Sequence, residues 1–278
     1  MFETVKNRRT IRKYLLKDIA PDLLNDLLET SFRASTMGGM QLYSVIVTRD
    51  TEMKEKLSPA HFNQPMVKNA PVVLTFCADF RRFCKWCEQR KAVPGYDNLM
   101  SFMNAAMDTL LVAQTFCTLA EEAGLGICYL GTTTYNPQMI IDTLQLPELV
   151  FPLTTITVGY PDSIPAQVDR LPLEAAVHQE TYHDYTSEDI DKLYAYKESL
   201  PENKQFIEEN QKETLAQVFT DIRYTKLLQK SEMRKNMVMD LIYRGFIYAA
   251  NYSESHFNPR RSQIKTELRY LFVTTLNR

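Results

Sequence analysis

The chain has almost no net charge. Its 32 basic and 34 acidic side chains over 278 residues leave −2, which supplies no general attraction for nucleic acid or an acidic membrane surface. No apolar stretch follows a basic head at Met1-Phe2-Glu3-Thr4, so a cytoplasmic protein without a secretory signal is expected. A charge-free hydrophobic run is missing too. The nearest, Asn98 to Ala120, holds Asp108 near its middle, at an insertion cost of about 2.5–3.5 kcal/mol. That segment predicts a buried core helix, not a membrane span. Cys84-Lys85-Trp86-Cys87 has C-x-x-C spacing, but there is no second cysteine pair, and His61, His178, His183 and His256 are scattered. Half a tetrahedral set is not a zinc site. The five cysteines are expected to be reduced thiols, with the C-x-x-C pair structural or incidental.

The usual catalytic signatures are also absent. Ser44 and Ser101 lie outside any G-x-S-x-G turn, and no G-x-x-x-x-G-K-[ST] loop occurs. Gly124-Leu125-Gly126 and Gly131 follow a helical stretch, whereas a dinucleotide fingerprint needs the order strand, glycine loop, helix. No metal ligand set and no catalytic side chain is therefore assigned. A chain without a nucleophile or acid/base pair suits chemistry carried by a bound cofactor.

What the chain does have is a dense basic run, Asn7-Arg8-Arg9-Thr10-Ile11-Arg12-Lys13-Tyr14. Each guanidinium offers a planar, permanent fork for phosphate oxygens, and Thr10 adds a neutral donor. The run is either a phosphate clamp or the solvated basic end of a first short helix, Phe2 to Tyr14. If helical, Arg8 and Arg12 share a face and repel unless an anion or acidic neighbour offsets them.

Further helices are predicted at 22–33, opened by Pro21, at 51–57, over the long apolar stretch up to Gly124, and at 137–144. Strands are predicted at 43–48, 71–78 and 153–160, with a short strand or turn at 126–131. Ser35-Thr36-Met37-Gly38-Gly39 reads as a loop of small residues able to bring backbone amides close to a ligand. Strands alternating with helices indicate an α/β-type or α+β sheet flanked by helices. Residues 1–164 are expected to form the core. Residues 165–230, rich in proline and charge and helical over 202–219, are expected to form an arm attached to it. A C-terminal helix and tail of unread role occupy 231–278.

In their order and spacing these elements resemble the nitroreductase family of FMN-dependent oxidoreductases, in particular its larger, flavin-reductase-like branch. The resemblance covers about residues 2–185. It rests on the basic run, the 35–41 loop leading into Tyr43-Ser44-Val45-Ile46, and Asn63-Gln64-Pro65. It continues through Phe76-Cys77-Ala78-Asp79-Phe80, Gly124-Leu125-Gly126 with Tyr129-Leu130-Gly131, Val158-Gly159-Tyr160-Pro161, and Arg170-Leu171-Pro172 before Val177-His178.

The resemblance implies an α+β fold with a central, mostly antiparallel sheet and an excursion arm, and a homodimer binding FMN between its subunits. Arg8, Arg9, Thr10 and Arg12 match the segment holding the FMN phosphate and ribityl chain. Ser35, Thr36 and Met37 match a loop that reaches this cofactor from the partner subunit, and Gln64 a side chain bonding the edge of its ring. Tyr129, Leu130, Gly131 and Thr132 match the segment directing a backbone N–H at the reactive nitrogen, and Arg170 a further basic contact.

The implied reaction is ping-pong, with NAD(P)H reducing FMN and a nitroaromatic, quinone or free flavin taking the electrons. The alternatives are a specialised flavin reductase or dehalogenase, a flavin-binding redox sensor with little turnover, or an interaction module whose arginines are merely solvated. Three departures stand out. Gly39 replaces a frequent Asn, Thr132 a frequent second glycine, and Val168 a frequent basic residue, so a less basic, slightly narrower pocket is expected. Arg223 and Lys226 either read the 2′-phosphate of NADPH or, the reading their context favours, belong to an exposed helix face.

Overall fold

The computed structural model describes residues 2–95 and 98–225. Lys226 and the expected C-terminal helix and tail lie outside the described residues. Contacts divide the chain into two compact units that meet in sequence at Pro165 and Ala166.

The first unit contains α1 (Glu3–Lys6), α2 (Pro21–Ser31), β1 (Tyr43–Thr48), α3 (Thr51–Leu57) and α4 (Pro65–Asn69). β2 (Val72–Asp79), α5 (Arg81–Gln89), α6 (Leu99–Glu122), β3 (Gly126–Leu130), α7 (Pro137–Leu144) and β4 (Val150–Gly159) follow. The strands form one antiparallel sheet in the order β1-β2-β4-β3. Central β2 is buried at all eight positions, as its nearly continuous apolar sequence requires. Against it lies α6, whose Val112, Ala113, Phe116, Cys117 and Ala120 join Leu74, Phe76, Ile127, Ile156 and Val158 in the main core with α2. Asn98 caps α6 by accepting from the Ser101 amide at 2.9 Å. At the other end Gly124, at φ +78°, takes the left-handed turn that stops it.

Two sequence expectations need correction. The first is the helix over 2–14, which is helical only at α1. From Arg8 the chain has no helical structure and is tied to the sheet instead: the Ile11 amide donates to the Ile127 carbonyl of β3 and the Leu15 amide to the Tyr160 carbonyl just beyond β4, both at 2.9 Å. A Cβ on Gly126 would meet Ile11 at 2.5–2.7 Å, and one on Gly159 would meet the Tyr14 ring at 2.7 Å. These two glycines face each other in the β3/β4 register. Their missing side chains admit the N-terminal segment, and this non-local pairing overrides local helical spacing. Arg8 and Arg12 therefore do not share a helical face.

The second is the helix over 202–219, which is two helices. In the second unit α8 (Ser187–Ser199), α9 (Pro201–Glu209) and α10 (Leu215–Val218) follow one another. α8 and α10 each start in a reciprocal capping box, Thr186 with Asp189 and Thr214 with Gln217. Between α9 and α10 the run Asn210-Gln211-Lys212-Glu213 passes through a left-handed Gln211, which breaks helical continuity. Arg223 lies over the Phe206 ring at 4.2 Å.

α5 is an element that residue spacing alone left unread. It carries Cys84 and Cys87 one turn apart, both buried. Cys84 packs with Phe80, Phe102 and Phe151, and all five cysteines are free thiols.

Candidate functional site

The basic run is fixed from below by the sheet, leaving its cations beside β3. Arg8 Nε lies 3.3 Å from Glu121 Oε1 at the end of α6. Burial holds the Glu121 carboxyl above the usual carboxylate range, and Arg8 pulls it back. Arg9 Nη1 donates to the Asn7 carbonyl at 2.5 Å. Arg12 is exposed. Burial raises the Cys128 thiol, while Arg12 and Arg8 both act to lower it. Both guanidinium groups thus act on one residue of β3, and Thr10, between them in sequence, is half-buried. Tyr14 closes the segment by donating to the Ile11 carbonyl at 2.8 Å, with Thr157 Oγ1 at 2.7 Å.

The turn before α4 meets the end of the same strand. Met66, Val67, Ala60 and Leu57 form one apolar cluster with Cys128 and Leu130, against which Tyr14 packs. His61, fully buried, places Nδ1 2.9 Å from Thr132 Oγ1. Phe62 and Asn63 follow at φ +55° and +54°, and the Gln64 amide donates to the His61 carbonyl at 3.2 Å, which sets Gln64 half-buried at the start of α4. The Phe62 ring meets Tyr135 edge-on at 5.9 Å. Beyond β3 the chain turns tightly, with the Thr133 amide and hydroxyl both donating to the Leu130 carbonyl. Among the described residues nothing accepts from the amides of Gly131 or Thr132. Tyr129 is half-buried, and burial pushes its phenol up. Cations, free amides, a carboxamide and an aromatic edge make a donor-rich surface suited to a planar ligand carrying an anionic group.

The structure thus brings Arg8, Thr10, Arg12, Gln64 and Tyr129 to Thr132 into one region. Ser35 to Met37 are elsewhere. The Met37 amide donates to Asp108 Oδ1 at 2.8 Å and the Leu42 amide to Asp108 Oδ2 at 3.1 Å, while Thr36 Oγ1 accepts from the Gln41 amide. From Asp108 to Glu121, where Arg8 sits, is about 20 Å along α6 at the rise of a helix. Arg170 belongs to the second unit, where its guanidinium donates to the Asp169 carbonyl at 2.8 Å.

Two residues passed over in the sequence prove central. His61 had no legible partner. Asp108 carried a usable signal, because a lone charge inside an apolar helix must find compensating donors.

His61 also makes stability depend on pH. Burial lowers it from 6.5 to about 4, so between those values the unfolded chain binds a proton that the folded chain refuses. Stability is then flat above about pH 6.5 and falls as pH drops toward 4, by about 2–3 kcal/mol from this group. Urea unfolding of the wild type and His61→Gln across that window should show a steeper loss toward pH 4 in the wild type, with the difference between the two carrying the slope of this group; parallel curves would refute it.

Comparison with known proteins gives concordant similarities. A family model described as the Nitroreductase family matches residues 5–160. An FMN reductase [NAD(P)H] of Bacillus subtilis is 35% identical over 205 residues, covering 73% of this chain and 82% of the relative. A CR(VI) reductase of a Pseudomonas is 31% identical over 198 residues, 71% of this chain and 81% of its own length. Among solved structures, a Bacteroides fragilis protein provisionally described as an oxidoreductase is 79% identical, with a TM-score of 0.87 over 88% of this chain and 100% of its own. The NfrA1 nitroreductase of Bacillus subtilis is 28% identical, with a TM-score of 0.78 over 88% of this chain and 98% of its own.

Proposed function

Since the chain belongs to the nitroreductase family, we propose that it is an FMN-dependent oxidoreductase taking hydride from NAD(P)H and delivering electrons to a nitroaromatic, quinone or flavin. The observation that carries the reading is a run of arginines pinned beside β3 through the Ile11–Ile127 backbone bond, next to the amides of Gly131 and Thr132, which have no acceptor among the described residues. The donor set fits the cofactor. Guanidinium forks match a phosphate monoester, and amides with a carboxamide match the acceptor edge of a flavin ring. FMN, when bound, supplies a reversible hydride acceptor, which lets donor and acceptor use one cleft in turn.

The protein's own part is to bind, orient and shield. Arg12 and Arg8 neutralise the phosphate, Thr10 adds a hydroxyl, and Gln64 with the 131–132 amides fixes the ring in a preorganised dipolar setting. Phe62, half-exposed beside Tyr135, offers an apolar wall that excludes water. Arg170 is proposed as a further basic contact.

A second copy of the chain completes the site in this reading. The Ser35–Met37 loop cannot reach the arginines of its own chain, being held about 20 Å away along α6. α6 also leaves Leu99, Met100, Met103, Met107, Leu110 and Leu111 exposed, an apolar stripe at helical spacing that calls for cover. A homodimer with α6 at its interface would cover the stripe and bring the partner's loop to the cofactor.

The test is the absorbance spectrum of the purified protein after incubation with FMN, followed by anaerobic NADPH or NADH. A visible flavin band that bleaches and then recovers with a quinone or nitroaromatic is expected. A band that resists both donors points to a redox sensor or flavin store, and no band at all removes the flavin reading.

A further inference from the structure

Resting on the flavin reading above, we propose that His61 is a positioning residue: its hydrogen bond to Thr132 Oγ1 locks the turn after β3 so that the Gly131 and Thr132 amides face the flavin ring.

The argument begins with a cost. His61 is completely buried, and its Nε2 has no hydrogen-bond partner among the described residues. An unsatisfied buried polar nitrogen keeps its full desolvation cost and calls for a compensating role. The next two residues add to it, since Phe62 and Asn63 are both left-handed although neither is glycine. Strain of this kind persists where surroundings over-determine the backbone and clusters at working sites. Here both costs sit in one turn, directly before Gln64.

The other half of the lock is the 130–135 turn. The Thr133 hydroxyl and amide hold it to Leu130, and the Tyr135 amide donates to the Thr132 carbonyl at 3.0 Å. Those bonds shape the turn internally without fixing it against α4. The His61–Thr132 bond spans 71 residues of sequence, and with the Phe62–Tyr135 ring contact it ties the two walls of the cleft together. The Thr132 hydroxyl is directed at His61. Burial keeps the imidazole neutral over the physiological range, so Nδ1 can accept from the hydroxyl or donate to it without a change of charge.

Thr132→Val removes the hydroxyl at nearly constant volume, His61→Phe removes the ring nitrogens, and His61→Asn restores a polar atom near Nδ1. FMN titration, the midpoint potential of the bound flavin and thermal unfolding are measured on each full-length protein. Thr132→Val and His61→Phe should each weaken FMN about five- to tenfold, the scale of one neutral hydrogen bond with its reorganisation. Both should change the ratio of affinities for oxidised and reduced flavin severalfold, which shows as a shifted potential. The double variant should be no weaker than the weaker single, because the two share one interaction, and His61→Asn should recover most of the loss.

If His61→Phe does not fold, Thr132→Val carries the test alone. Wild-type affinity and potential in a folded Thr132→Val protein would overturn the lock while leaving the flavin reading standing. So would affinity lost in step with thermal stability at an unshifted potential, which marks a purely structural bond. A wild-type protein that binds no FMN overturns both.

Discussion

Arg12→Ala is expected to weaken FMN binding by about 30- to 1,000-fold, or about 2–4 kcal/mol, the cost of leaving one partner of a desolvated charge pair alone. Arg12 carries the larger share because Arg8 already faces Glu121 at 3.3 Å, whereas Arg12 acts on a thiol and a phenol, those of Cys128 and Tyr14. Arg12→Lys should lose part of that affinity, since a point charge replaces a planar fork. Arg8→Ala should show the contrasting pattern: a smaller loss of FMN together with lower stability, from a partly buried Glu121 left without its cation. A flavin titration of the three variants separates these outcomes. Unchanged affinity in Arg12→Ala would dismiss the basic run as a phosphate clamp.

Much of the scaffold is legible where local rules and tertiary need agree. The helix Thr51–Leu57 follows an Asp50 cap that accepts from the Met53 amide, and Pro137–Leu144 has proline in its first turn. β1 and β2 are marked by β-branched and apolar residues that suit their places in the sheet. Legibility ends where a partner is distant in sequence. The basic run lies on the sheet and not in a helix because Gly126 and Gly159 leave room for Ile11 and Tyr14, and nothing near residues 8–14 announces glycines over a hundred positions away. His61 looks like a stray histidine until the fold sets Thr132 beside it. The residues matched through the family resemblance divide in the same way: those on the N-terminal run and the end of β3 meet, while Ser35 to Met37 attach to Asp108, a link the loop's own composition does not hint at.

Asp108→Ala is expected to cost about 3–5 kcal/mol of stability and to weaken FMN as well. The carboxylate is almost fully buried and receives two backbone amides; hydrogen bonds to a charged group are worth about 1.5–3 kcal/mol each, and removal strands the donors. The two donors are not equal. Leu42 is fully buried, so its amide is left with nothing, while Met37 is exposed enough for water to replace the oxygen it loses. Asp108→Asn keeps one acceptor and should show about half the stability loss. The effect on FMN is the more telling part, because in one chain this loop lies about 20 Å along α6 from the arginines, too far to touch the same ligand. Weaker FMN in folded Asp108→Asn, with the dimer intact by sedimentation, requires the loop to act across the interface on the neighbour's cofactor. Unchanged affinity would leave Asp108 a purely structural anchor and would remove Ser35, Thr36 and Met37 from the site.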